Sequence, residues 1–279
     1  MSATASAPPT LAGYVSHHLK NFSSASQEKL VDFTVINLDT VFWSVFCGVV
    51  GCLVVWLVAR KATSGVPGRL QAAVELLVEM ADGQARAQIH GDRRFIAPLA
   101  LTLFIWISLM NCMDFLPVDL FSQIFHWLGW DSVIHYHRAV PTSDLNGTVG
   151  ISFGVVVLMV YFGIKVKGLK TFLHELFCAP FGAALAPFNF MLNLIEYISK
   201  MVSLGMRLWG NMYAGELLFL MIAMLGAFAA LSLGGAFLFL GHVIAGAIWA
   251  IFHILIVFLQ AFIFMMLTLV YLGLAHEGH

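Results

Sequence analysis

Apolar runs without charge alternate with short charged stretches along the chain. Residues 40–60 contain no charge until Arg60 and Lys61 close the run. About 20 apolar residues cross a bilayer as a helix, so this run predicts a first membrane span. Two further runs, 95–114 and 146–165, predict a second and a third. One lies between Arg94 and Asp114, and the other ends at Lys165, Lys167 and Lys170. "TSGVPG" (Thr63 to Gly68) punctuates the chain after the first span. Residues 69–90 follow a different pattern. Leu70, Val74, Leu77 and Val78 share one side, while Gln71, Glu75, Glu79, Asp82 and Arg86 share another. That pattern predicts an amphipathic helix lying on the membrane surface. Pro180 and Pro187 predict a kink or a short re-entrant piece.

The last third reads as two long apolar helices, 189–230 and 236–275, separated by "SLGG" (Ser232 to Gly235). Each would measure about 60 Å at 1.5 Å per residue. The hydrocarbon core is only about 30 Å thick. Helices of that length must tilt steeply or protrude, which predicts an inclined hairpin. The expected fold is an all-α membrane protein with about five transmembrane helices and one amphipathic surface helix. It comprises a tail, residues 1–39, and a single membrane domain, residues 40–279. Basic residues cluster after the first span (Arg60, Lys61, Arg69, Arg86, Arg93, Arg94) and after the third. By the positive-inside rule those loops are cytoplasmic, the N-terminus is periplasmic and the C-terminus is cytoplasmic.

Composition agrees with a membrane chain. Of 279 residues, 60% are hydrophobic and 10% charged, against about 25% charged in soluble domains. The net charge of −1 excludes a basic face for nucleic acid. Cys47, Cys52, Cys112 and Cys178 have no metal-site spacing and read as packing residues. The first 38 residues lack the pattern of a signal or transit peptide, so the mature chain is expected to begin near Met1.

Polar residues inside the fourth apolar stretch break the rule. At 100° per residue, Asn193, Glu196, Lys200, Ser203, Arg207 and Asn211 fall on one stripe about 27 Å long. A mid-bilayer arginine costs about 2.5–3.5 kcal/mol on insertion scales. It cannot shed its charge, so it needs a partner or a wet cavity. Its own face offers only Glu196, about three turns away, and an acid on another protein is the simplest counter-ion. Six polar residues in register point to an ion path rather than to packing between helices. Glu216 points to the opposite side of the same helix. His253 and Gln260, seven apart, share a face of the last helix. In a hairpin Glu216 and His253 would meet at similar depth and exchange protons near neutral pH.

"SKMVSLGMRLWGNMYAGELL" (Ser199 to Leu218) and "WAIFHILIVFLQAFIFMMLTLVYL" (Trp249 to Leu272) closely resemble subunit a of bacterial F-type ATP synthases. "YVSHHLKN", "KATSGVPGRLQAAVEL", "APLALTLFIW", "NCMDFLPVDL" and "VPTSDLN" resemble it too, in the same order. Met201 and Trp209 depart from the usual proline and phenylalanine without touching a charged position. The resemblance implies a non-catalytic stator subunit without cofactor or metal, in the bacterial inner membrane. It implies Arg207 facing a ring of c-subunits that supplies the essential carboxylate. The b-subunit peripheral stalk, the remaining ATP synthase subunits and membrane lipid are the other implied partners. Asn211, Glu216, His253 and Gln260 match a half-channel open to the periplasm. Glu196, Ser199 and Ser203 are candidates for the cytoplasmic half-channel, and Asp114, Asp119 and Asp144 for the periplasmic mouth.

Competing patterns carry less. "GISFG" (Gly150 to Gly154) fits a nucleophile elbow but lies in an apolar span. "HELFC" (His174 to Cys178) lacks the second zincin histidine. His126, His135 and His137 read as solvated loop residues. The rival class is a self-contained transporter binding an anion on Arg207, but no internal repeat supports it.

Overall fold

A computed structural model describes residues 22–23, 35–89, 91, 93–116, 120, 124, 127, 129, 138–227 and 233–276. Within them lie seven α-helices. They are α1 (Leu38–Arg60), α2 (Arg69–Gln88), α3 (Ile96–Cys112), α4 (Leu145–Lys167), α5 (Leu169–Cys178), α6 (Ala186–Ala227) and α7 (Leu233–His276). Five stretches are long and apolar enough to cross a membrane: Leu38–Arg60, Ile96–Phe115, Leu145–Lys167, Ala183–Gly226 and Gly234–His276. The chain is an all-α membrane protein. Asp119, expected at the periplasmic mouth, and the loop histidines His126, His135 and His137 lie outside the described residues.

The α2 helix is amphipathic by composition, and only Ala81 and Ala85 of it are buried. They pack with Ile96 and Ala100 of α3 and with Leu269, Leu272 and Ala275 of α7. Near Pro180 the chain forms the short helix α5 rather than a kinked span. Gly168, with φ of +80°, joins α4 to α5 in a conformation that side chains disfavour. Pro187 lies in the first turn of α6, where its missing N–H costs nothing, so it starts that helix instead of interrupting it.

The core is built by α3, α4, α6 and the second half of α7. Leu103, Ile107 and Met110 of α3 meet Val155 of α4, Leu204 and Leu208 of α6, and Ala261 and Phe264 of α7. Lipid is as apolar as these side chains, so close packing supplies the attraction between the helices. A Cβ on Gly205 would lie 2.9 Å from Ser152 Oγ and 3.1 Å from Val149 Cα. The glycine therefore lets α6 approach the α4 backbone.

The first half of α7 is different. Phe237, Phe239, Leu240, Ile248, Ile251 and Leu255 are all more than half exposed. Among the described residues this stretch meets the end of α6, through Phe219 against Trp249 and His242 Nδ1 at 2.7 Å from the Ile222 carbonyl, and the turn after α3, where Phe115 and Asp114 lie against His253. With 42 and 44 residues, α6 and α7 measure about 63 and 66 Å.

Candidate functional site

The starts of α1 and α4 share one end of the bundle. Asn37 Nδ2 donates to Asp144 Oδ2 at 2.8 Å, and Gly147 lies against Thr40. The opposite ends of these two helices carry Arg60, Lys165 and Lys167. One end of the bundle is therefore acidic and the other basic.

At the acidic end, buried carboxylates organise the backbone. Asp39 accepts from the amides of Phe22 (2.9 Å), Thr40 (2.8 Å) and Arg138 (3.2 Å). Asp144 caps α4 by accepting from the Asn146 amide at 3.1 Å. Such a cap satisfies an amide that the first helical turn leaves free. Asp144 is buried in this role.

From there the chain reaches α6 through an ion pair. Arg138 Nε donates to both carboxylate oxygens of Glu216, each at 3.2 Å, and Nη2 donates to Oε2. The two side chains are only 7% and 8% exposed. The Tyr213 ring, one turn earlier on α6, lies 5.6 Å from the guanidinium carbon. A forked contact of this kind fixes the carboxylate in direction as well as position.

The second acid–base pair lies on the adjoining face. His253 is fully buried, with Phe115, Phe219 and Trp249 rings 5.1 to 5.8 Å from its own. Its Nε2 lies 2.6 Å from Asp114 Oδ2, without the alignment of a hydrogen bond, and Nδ1 has no partner among the described residues. A Cβ on Gly215 would collide with the imidazole, reaching 2.9 Å from Nδ1. Hence α6 and α7 touch at the level of this pair. Nearby, the fully buried Asn111 donates to the Val257 carbonyl at 3.3 Å, and its Oδ1 is unpartnered.

Glu216 and His253 thus come to similar depth, as expected, but they do not pair with each other. Glu216 takes Arg138 and His253 takes Asp114. The Asp114 side chain, expected at the periplasmic mouth, is 6% exposed. Gln260 is buried two turns along α7 from His253, and Asn211 is half-buried on α6.

The polar stripe of α6 divides. Asn193 faces α5 and donates to the Leu176 and Ala179 carbonyls at 3.0 and 3.2 Å, so its role is structural. Lys200 reaches back to Glu196 at 2.6 Å and lies 5.5 Å from the Tyr271 ring centre. Glu196, Ser199, Ser203 and Arg207 are exposed. Among the described residues, Arg207 has no hydrogen-bond or ion-pair partner.

Sequence spacing missed Arg138 and Asp39. Arg138 lies outside the apolar runs, and its partner is 78 residues away. No local period could have linked them.

A family model described as ATP synthase A chain matches residues 41–273. The chain is 54% identical to "ATP synthase subunit a" of Paracidovorax citrulli and 55% identical to that of Acidovorax sp. strain JS42. Each match covers 100% of both chains. "ATP synthase subunit a" of Pseudomonas syringae pv. tomato is 45% identical over 98% of this chain and 99% of its own.

Proposed function

The chain belongs to the ATP synthase A chain family, and on that premise we propose that Arg207 faces the carboxylate of a rotating ring of c-subunits. The observation that carries this reading is an exposed arginine on a membrane helix without a partner among the described residues. A guanidinium in lipid needs an anion. A ring carboxylate passing at its depth supplies one.

In this reading the chain is the proton-translocating stator subunit of an F-type ATP synthase in the bacterial inner membrane. It provides two offset half-channels, while nucleotide chemistry belongs to other subunits. A proton passes from the periplasm along Asp114 and His253, with Glu216, Asn211 and Gln260 lining the same path. Burial of Glu216, His253 and Gln260 and the enclosed His253–Asp114 pair support that route. The proton neutralises a ring carboxylate, which then crosses lipid without charge. It leaves on the other side past Ser203, Ser199 and Glu196, whose exposure along one face of α6 supports an open groove there. Arg207 favours the ionised ring carboxylate by opposite-charge attraction and keeps the two paths apart. The membrane potential supplies about 2.3 kcal/mol per charge per 100 mV.

The basic end of the bundle supports a cytoplasmic placement for Arg60, Lys165 and Lys167, with the N-terminus periplasmic and the C-terminus cytoplasmic. The b-subunit stalk holds this chain against the turning ring.

Substituting Arg207→Ala tests the reading. Vesicles carrying the assembled variant complex are expected to hydrolyse ATP without pumping protons, and normal ATP-driven acidification would refute it.

A further inference from the structure

Arg138 is drawn into the protein from a segment outside the helices, and its guanidinium takes both oxygens of Glu216. Burying two charges is costly, and the cost is offset only where geometry is good and the remaining hydrogen bonds are met. Those conditions hold here. The fork is bidentate, the Tyr213 ring flanks the guanidinium, and Asp39 holds the Arg138 backbone amide. Asp39 in turn ties that amide to the start of α1 and to Phe22. A surface loop does not need an anchor of this depth simply to stay attached.

We propose that Arg138 is a positioning residue for proton uptake: its fork holds the Glu216 carboxylate turned away from His253, so that Glu216 meets the His253–Asp114 pair only when this fork loosens. The proposal rests on the reading of Glu216 as part of the periplasmic half-channel. The groups facing Glu216 are few. Arg138 approaches from the segment before α4, and Tyr213 lies on α6 itself. His253 on α7 packs against Gly215, with Asp114 from the end of α3 behind it. Asp39 at the start of α1 touches only the Arg138 amide, and Asp144 at the start of α4 is engaged with Asn37 and Asn146. The α5 helix packs near Asn193, more than twenty residues back along α6. Arg138 is therefore the only cation in contact with Glu216 among the described residues.

Inverted membrane vesicles holding the complete complex provide the test. ATP synthesis is driven by a fixed potassium diffusion potential at constant outer pH, while the luminal pH is varied. The lumen corresponds to the periplasmic face, so the profile is read on the proton-uptake side, each variant against the wild type under the same gradients. Removing a cation from beside a carboxyl group favours its neutral form. Arg138→Gln is expected to raise the half-maximal luminal pH by about one unit or more, and to lower the maximal rate. Arg138→Lys keeps the charge but not the fork, so its profile should stay near the wild-type position at reduced rate. A purely structural arginine would lower the amount of complex or the rate in both variants without moving either profile. An Arg138→Gln profile that coincides with the wild type overturns the proposal. Should Arg138→Gln fail to assemble, the double variant Arg138→Gln/Glu216→Gln decides. A luminal pH profile and rate equal to those of Glu216→Gln alone show that Arg138 acts through that carboxylate, and a further loss beyond Glu216→Gln overturns the proposal. Synthesis retained by Arg207→Ala vesicles would instead sink the half-channel reading itself.

Discussion

Arg138 and Arg207 carry the same guanidinium into opposite surroundings. Arg138 is buried and forked onto Glu216, and its backbone is held by Asp39. Arg207 projects from the same long helix, α6, that carries Glu216, yet it is exposed and unpartnered among the described residues. The first arrangement is complete within one polypeptide. The second would be completed by the proposed ring carboxylate. Burial separates them: a charge matched by its own chain can be enclosed, whereas the proposed meeting with a ring carboxylate requires one that stays on the surface.

That contrast can be broken by substitution. The largest effect is expected on the open side. Arg207→Lys should lose nearly all ATP-driven proton pumping, because an ammonium lacks the planar fork and can give up its proton. The same change should alter the stability of the purified chain in detergent by less than about 0.5 kcal/mol, as for a surface site. A destabilisation of several kcal/mol in chemical unfolding would mean that Arg207 has an internal partner after all. On the closed side the ranking inverts. Glu216→Ala leaves Arg138 buried without an anion and should cost the isolated chain about 3–5 kcal/mol. A stability equal to wild type in the same unfolding assay would show that the pair is open to water. A smaller effect belongs to the contact between α6 and α7. Gly215→Ala forces a methyl against the His253 ring and should cost about 1–3 kcal/mol, read as a lower unfolding midpoint.

The sequence exposed the parts of this molecule that depend on one-dimensional pattern. Uncharged runs placed the spans, because lipid tolerates so few charges. The local rule read Pro187 as an interruption, whereas it lies in the first turn of α6. The α5 helix was hidden because its ten residues are too short for a span. In the site, Arg207, Glu216 and His253 stood out as charges or imidazole in an apolar background. Their partners did not. Arg138 and Asp114 sit among other charged loop residues, and only the packing of α3, α6 and α7 shows which acid meets which base. Asn193 misled for a related reason. It shares the period of the polar stripe but spends its amide on the carbonyls that end α5.

The exposed guanidinium of Arg207 also bears on how the machine is put together. An isolated chain carries the insertion penalty of that residue, about 2.5–3.5 kcal/mol. Docking beside a surface that bears an acid at the right height relieves it, and a surface without that acid does not. On the proposed reading one side chain thereby proofreads its neighbour during biogenesis, before any gradient exists to be harvested.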